Sequence, residues 1–409
     1  MPTDLRVLAE AEWDDWFATF ALAFGGTPTP AGKEELWRDL VEADRMLGAW
    51  DGDTCVGTAG SFSFRLSVPG GALVDAAGVT TVSVAATHRR RGILTAMMRR
   101  QLDDVRALGE PLAVLTASEP VIYGRFGYAP GTLQLKADID TTRVQLSVPP
   151  GTDDVRLRYA RPADVLDACE ELYARRVVAR PGMPARQPGW ERLGLFDPES
   201  ERDGASPVQC VVAERAGELV GYVRFAVKPE FDWKGPKGVV RVRDLEAEDP
   251  AAYAALWRFV FTIDLTTSVL AYSRPVDDPL LQLASDIRRC DLAVRDSLHV
   301  RLVEVGAALA ARTYRTPLDV VLEVEDAFCP WNAGRWRLTG DAKGASCERT
   351  RDPADLALSV RELAAAYLGG TSLTSLAGAG RVRELRPGAL AEASVAFGSD
   401  VAPWLPHGF

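Results

Sequence analysis

At 409 residues the chain is too long for one ordinary hydrophobic core, and at about 100–200 residues per domain it implies two to four domains. Apolar residues at 47% and charged residues at 25% match a soluble globular protein and exclude intrinsic disorder, collagen and a coiled-coil rod. Against 57 Asp and Glu stand 47 Lys and Arg, and the net charge of −10 argues against nucleic-acid binding, which needs a basic face to displace counterions, while being compatible with cationic small substrates.

The start of the chain, Met1-Pro2-Thr3-Asp4-Leu5-Arg6, lacks the basic-then-apolar layout of a signal peptide, and no run of about 20 apolar residues marks a membrane span. A cytoplasmic protein with no membrane partner is expected. The first section, 1–150, opens with an aromatic-rich amphipathic helix from Trp13 to Phe24 and a second helix near Lys33–Val41. Strands at Met46–Trp50 and Cys55–Leu66 flank the turn Asp51-Gly52-Asp53, a hairpin signal. Thr81–Val84 reads as a strand and Thr87 as a cap for the next helix. That helix carries the stripe Ile93, Leu94, Met97, Met98, Leu102, Val105 and Leu108 and stops at Gly109. A turn-rich linker, Val148 to Asp154, closes the section.

The second section, 151–290, repeats this order more weakly: Val211–Arg215, a turn at Ala216-Gly217-Glu218, Leu219–Val227, Val239–Leu245, then a helix from Pro250 to Ile263. Val56-Gly57 and Val220-Gly221 occupy equivalent places. In the third section, 291–409, strands at Leu318–Val324, Arg335–Leu338 and Asp355–Ser359 precede helices at Val360–Leu368 and Leu373–Ala377, the pattern of an α+β module. The six cysteines form no CxxC pair and there are three histidines, His88, His299 and His407, so no metal site is expected and the thiols read as reduced and buried. Chemistry must run almost without histidine.

The informative stretch is Thr80 to Pro130. His88-Arg89-Arg90-Arg91-Gly92 joins a strand to a helix N-terminus. There the first N–H groups lack intrahelical partners, the helix dipole is positive, and glycine lets a phosphate approach the backbone. Three arginines add charge-assisted contacts. The junction suits a pyrophosphate.

Arg89-Arg90-Arg91-Gly92-Ile93-Leu94 resembles the acetyl-CoA loop of GCN5-related N-acetyltransferases (GNATs), with Leu94 departing from the usual Gly or Ala. Together with Val82 to Thr87 and Ala117-Ser118-Glu119-Pro120-Val121-Ile122-Tyr123-Gly124-Arg125-Phe126-Gly127-Tyr128, it is similar to the enhanced intracellular survival (Eis) family of actinobacterial acetyltransferases. The resemblance implies an α+β fold of tandem GNAT-type mixed-sheet domains, 1–150 binding acetyl-CoA and 151–290 without its own cofactor, followed by a sterol-carrier-protein-like α+β domain, 291–409. Leu245-Glu246-Ala247-Glu248-Asp249-Pro250 is acidic where the first copy has arginines, which agrees with a silent second copy.

The same resemblance assigns residues. Val82, Ser83 and Val84 match the strand facing the thioester and pantetheine arm; Arg90, Arg91, Gly92, Ile93, Leu94 and Thr95 match the pyrophosphate loop; Ser118 and Glu119 match a further cofactor contact. A departing thiolate needs a proton, which a Tyr hydroxyl with ordinary pKa near 10 can supply. The residues alone do not choose between Tyr123 and Tyr128; family position selects Tyr123. The family's base is the C-terminal carboxylate, here that of Phe409, with His407 as an alternative or helper. His88 sits at the phosphate loop rather than at the amine. Trp13, Phe24 and Trp37 match aromatic walls of the acceptor site, but Gly26 stands where the family has an acidic residue, which bears on acceptor preference. The family acetylates small-molecule amines, aminoglycosides and lysine side chains among them, and forms homohexamers. Two other classes remain from the sequence: a lipid or sterol carrier resting on the third section, and a nucleic-acid-binding regulator, for which the basic loop is short and the chain acidic.

Overall fold

The computed structural model describes residues 3–409. In chain order the first stretch contains β1 (Asp4–Val7), α1 (Trp13–Ala23), α2 (Lys33–Leu40), β2 (Met46–Asp51), β3 (Thr54–Ser67), β4 (Leu73–Val84), α3 (Ile93–Ala107), β5 (Leu112–Thr116), the one-turn α4 (Pro120–Tyr123), β6 (Ala129–Pro130) and β7 (Leu133–Asp140). Next come β8 (Arg156–Ala160), α5 (Leu166–Val177), β9 (Pro184–Ala185), β10 (Gln209–Arg215), β11 (Glu218–Lys228), a short hairpin of β12 (Phe231–Asp232) and β13 (Gly235–Pro236), β14 (Gly238–Ala247), α6 (Pro250–Phe261), β15 (Thr266–Arg274), α7 (Leu280–Leu283), β16 (Ala293–Asp296) and β17 (Leu298–Leu302). The last stretch holds α8 (Val305–Ala310), β18 (Leu318–Glu325), β19 (Gly334–Asp341), β20 (Gly344–Arg349), β21 (Leu356–Ser359), α9 (Val360–Tyr367), α10 (Leu373–Gly378), β22 (Val382–Glu384) and α11 (Ala389–Phe397).

Two sheets share one plan. The first has the order β1-β2-β3-β4-β5-β17-β6, with β9 on β3, and the second β8-β10-β11-β14-β15-β7-β16. In each, one neighbouring pair is parallel, β4 with β5 and β14 with β15. The sixth strands are exchanged. β7, from the section ending near 150, pairs antiparallel with β15, and β17, from the section beginning at 291, pairs antiparallel with β5. The chain thus crosses between the sheets in both directions.

The repeat extends to register. Gly57 lies opposite Val84 and Gly221 opposite Ala247; each strand pair then carries a bulge, at Thr58/Gly60 and at Arg224/Phe225. These glycines are places of close approach. A Cβ on Gly57 would lie 3.2 Å from Ile93 of α3, and one on Gly221 3.0 Å from Leu256 of α6. The two Val-Gly pairs therefore mark where a helix settles on each sheet.

The third sheet, β20-β19-β18-β21-β22, does not close off a core of its own. Its Leu322, Trp336 and Leu338, with Leu363 of α9, pack in one apolar cluster with Leu112, Val114, Val300 and Leu302 of the first sheet. All six cysteines are free and buried. Thr87 departs from expectation. It caps no long helix: Gly92 is the N-cap of α3, and the Thr87 hydroxyl instead meets His88 Nδ1 at 2.8 Å.

Candidate active site

β4 and β5 pair only from Ala76–Gly78 to Leu112–Val114, while β4 runs on to Val84. The strands part there, and a cavity of about 550 Å³ opens. Val82, Ser83 and Val84 form one wall, and Gly92, Ile93, Leu94 and Thr95 another. Ser118, Glu119 and Tyr123 line it from the far side, and Phe24 reaches in from the end of α1.

The loop before α3 is held in left-handed backbone, Gly92 at φ +84° and Arg90 at φ +64°. For a residue other than glycine that conformation costs on the order of 1–3 kcal/mol and concentrates at functional sites. No side chain caps α3 and no acidic residue stands in its first turn, so its leading N–H groups remain available. Arg89 and Arg90 line the cavity. Arg91 turns back, and its Nη2 donates to the Thr87 carbonyl at 3.3 Å. The arginine triplet thus divides in space: Arg89, which the motif match passed over, faces the cavity and Arg91 does not. His88 also lines it and lies 3.2 Å from Asp51 through Nε2.

The second copy differs at both corresponding points. The Asp249 carboxylate accepts from Ala251 N at 2.9 Å and Ala252 N at 3.0 Å and pairs with Arg215, so the α6 N-terminus is already satisfied by an anion. Between β14 and β15, Arg274 donates from Nη1 to the Leu245 carbonyl at 3.2 Å and from Nε to Asp278 at 2.7 Å. By register Leu245 is the counterpart of Val82. A buried guanidinium thus fills the parting that stands open in the first copy.

The two tyrosines separate. Tyr123 is partly buried and lines the cavity; burial and the neighbouring Glu119 carboxylate push its pKa up, which keeps the hydroxyl protonated. Tyr128, 1% exposed, stands edge-to-face to it at 6.0 Å in the core behind.

A second cavity, of about 370 Å³, meets the first at Phe24. The α1 stripe Trp13, Trp16, Phe17 and Phe20 lines it with Trp37 of α2, Thr80 and Thr81 of β4, and Phe409. Trp13 and Trp16 also belong to the core: both are buried, Trp13 Nε1 donates to Glu34 and Trp16 Nε1 to the Leu47 carbonyl. Thr81 has φ +52°, a genuine outlier for a β-branched residue, at the bulge where β4 turns between the cavities. Gly26 supplies no carboxylate here. The acid on this wall is Glu201, held by Lys33 at 2.6 Å across 168 residues of chain, a pairing with no local sequence signal.

The chain's last residues are laid along the second copy. Ala402 N donates to Asp277 at 2.8 Å, Trp404 N to the Pro181 carbonyl at 2.8 Å, and Trp404 Nε1 to the Ser273 carbonyl of β15 at 2.6 Å. His407 Nε2 accepts from Arg186 Nε at 3.3 Å; desolvation and the Arg186 charge push its pKa down to about 3, so the ring is neutral. Phe409 stands edge-to-face on Phe64 at 4.9 Å. A third cavity, of about 470 Å³, is lined by Trp404, Pro406, His407, Gly408 and Phe409 of this tail. It shares Trp37 and Phe409 with the aromatic one, and His407 lines it rather than the aromatic cavity.

Comparison with known proteins bears on this arrangement. Two segments match models described as acetyltransferase (GNAT) domains, residues 4–131 and 182–302, and residues 305–406 match a sterol carrier protein domain. A Streptomyces avermitilis protein named as an uncharacterized N-acetyltransferase is 71% identical over 409 residues, all of both chains. The N-acetyltransferase Eis of Mycobacterium tuberculosis is 34% identical over 403 residues, 95% of this chain and 96% of that one. The crystal structure of Eis1 from Mycobacterium abscessus superposes with a TM-score of 0.83 at 36% identity over the full length of both chains. A GCN5-related N-acetyltransferase from Anabaena variabilis, 19% identical, has the same fold with a TM-score of 0.85 over the full length of both.

Proposed function

Because the chain belongs to the Eis family of GCN5-related N-acetyltransferases, with two GNAT domains and a sterol-carrier-like domain forming an acetyl-transferring enzyme, we propose that it moves the acetyl group of acetyl-CoA to an amine at the junction of the first two cavities. The observation that carries this reading is the meeting, at Phe24, of a cavity with an open helix N-terminus and a cavity that the last residue lines. The uncapped α3 terminus, flanked by Arg89 and Arg90 with no acid in its first turn, fits a pyrophosphate. In the second copy Asp249 and Arg274 occupy the equivalent places, so one cofactor per chain is proposed.

Acetyl-CoA, when bound, supplies the acyl group as a thioester. The chain's residues orient and move protons. Val82 and Val84 present backbone along the open edge of β4, with Ser118 and Glu119 opposite. The Phe409 carboxylate takes the proton that the acceptor nitrogen sheds as its bond to the acetyl carbon forms. Tyr123 holds its own proton for the sulfur whose bond to that carbon breaks. Trp13, Phe24 and Trp37 form the aromatic wall that receives a cationic amine. The acceptors fall among polyamine-like, aminoglycoside-like or lysine-containing amines. We read the third domain as a scaffold that carries Phe409 to the first, since its apolar side chains are shared with the first sheet's core.

Among the described residues no helix is long and apolar enough to cross a membrane. A cytoplasmic homo-oligomer, a hexamer by the family resemblance, belongs to the same proposal, and light scattering of the purified protein tests the assembly. Function is tested by thiol release from acetyl-CoA across polyamines, aminoglycosides and lysine peptides. Release that depends on an amine supports the reading, and none with any amine refutes it.

A further inference from the structure

The third cavity is chemically unlike the aromatic one that it adjoins. Arg224 and Arg274, 3% and 5% exposed, both line it. Each is held by one carboxylate: Arg224 by Asp244 through Nε and Nη2, Arg274 by Asp278 through Nε. Among the described residues no hydrogen bond reaches Nη1 of Arg224 or Nη2 of Arg274. Gly194 makes room for the first of these; a Cβ there would stand 2.6 Å from Arg224 Nη1. Tyr222, also lining the cavity, is 0% exposed and its hydroxyl has no partner. A buried donor left unpaired costs about 1–3 kcal/mol, so the Tyr222 hydroxyl calls for an acceptor, and the two guanidinium nitrogens stand open to the same cavity.

Arg186 and Arg243 line the cavity as well, each with a carboxylate partner, Glu170 at 2.6 Å and Asp197 at 2.9 Å, so every guanidinium here is paired once and its remaining N–H groups are what it offers a ligand. Asp244 is already engaged by Arg224, and burial pushes the Glu246 carboxyl up to about 7, so that it readily takes a proton and becomes a donor. An ammonium placed here would face guanidiniums. By register Tyr222 and Glu246 are the counterparts of Thr58 and Ser83 in the first sheet, of which Ser83 lines the first cavity.

We propose that this arginine-lined cavity binds an oxyanion of the acceptor, a carboxylate or a phosphate, so that preferred acceptors are amines carrying an anionic group on the same molecule. The inference rests on the amine-acetyltransferase reading and names the acceptor class within it. Trp37 and Phe409, shared by both cavities, place the two ends of such an acceptor on either side of the last residue.

The test uses matched pairs with the full-length enzyme: Nα-acetyl-lysine against its amide, and aminopentyl phosphate against aminopentanol. The expected kcat/KM favours the anionic member about tenfold, the energy of one charge-assisted hydrogen bond. The pair with the larger ratio identifies carboxylate or phosphate as the natural anion. Tyr222→Phe, which removes only an unpartnered hydroxyl, and Arg224→Lys should each move the ratio toward one. Ratios near one in the wild type overturn the inference while leaving acetyl transfer intact. If no amine is acetylated, the functional reading fails instead, and calorimetry with aminopentyl phosphate still decides this site: binding that weakens in Tyr222→Phe supports it, and no binding overturns it.

Discussion

Adding a single glycine after Phe409 isolates the terminal carboxylate from everything else the tail does. The Phe409 ring keeps its place against Phe64, and the anchors at Ala402, Trp404 and His407 are untouched. Only the charge moves, by up to about 3.3–3.6 Å, the span of one extended residue. A general base must lie within about 2.6–3.2 Å of the atom it deprotonates, so the shift takes the carboxylate out of reach. General-base catalysis is worth roughly 10²–10⁴ in rate, and kcat for thiol release should fall by at least the lower figure. Thermal denaturation of the extended protein should match the wild type, which separates lost chemistry from lost fold. Phe409→Leu keeps a carboxylate in place and should retain far more turnover than the extension. An extended enzyme with kcat within about threefold of wild type, where a hundredfold loss is the minimum expected, would place the base elsewhere.

Three further outcomes follow from the site. Arg90→Ala should raise the acetyl-CoA KM about tenfold, as for loss of one charge-assisted contact, and Arg91→Ala much less, because Arg91 is turned toward Thr87; equal effects would contradict the cavity geometry. Tyr123→Phe should lower kcat by about 10²–10⁴ with little change in KM, whereas Tyr128→Phe should leave kcat near wild type; full activity of Tyr123→Phe would exclude it as the acid. Urea titrations across pH should reveal two opposed groups. His407, lowered from 6.5 to about 3 in the fold, binds more protons when unfolded, so its contribution is present above 6.5 and is lost as pH falls toward 3. Glu246, raised from 4.5 to about 7, binds more protons when folded, so its contribution is present below 4.5 and is lost as pH rises toward 7. His407→Gln should flatten the first slope and Glu246→Gln the second; unchanged slopes would contradict the burial of these groups.

The arginine-glycine loop was legible because a strand, a glycine and a helical stripe follow one another within a few residues, and local order determines that geometry. The Val-Gly echo at Gly57 and Gly221 was legible for a related reason, since both mark a helix crossing. The exchange of β7 and β17 was not, because each alternating strand carries no label for the sheet it joins. The division of the arginine triplet depends on the left-handed turn at Arg90, which no propensity scale assigns to arginine. Asp249-Pro250 is a plain helix-start signal, and it could have been read as an occupied N-terminus rather than only as an acidic patch. The arginine cavity draws on Arg224, Tyr222, Glu246 and Arg274 from three strands of the second sheet, and only the folded register brings them together.

One copy of the fold is open at its helix terminus and the other is filled, and the stoichiometry of acetyl-CoA binding tests that most directly. Calorimetry of the full-length protein should give one site per chain, with affinity reduced in Arg90→Ala and retained in Asp249→Ala. Two sites per chain, or one site indifferent to Arg90 and sensitive to Asp249, would contradict the assignment of the open helix terminus at Gly92 as the cofactor site.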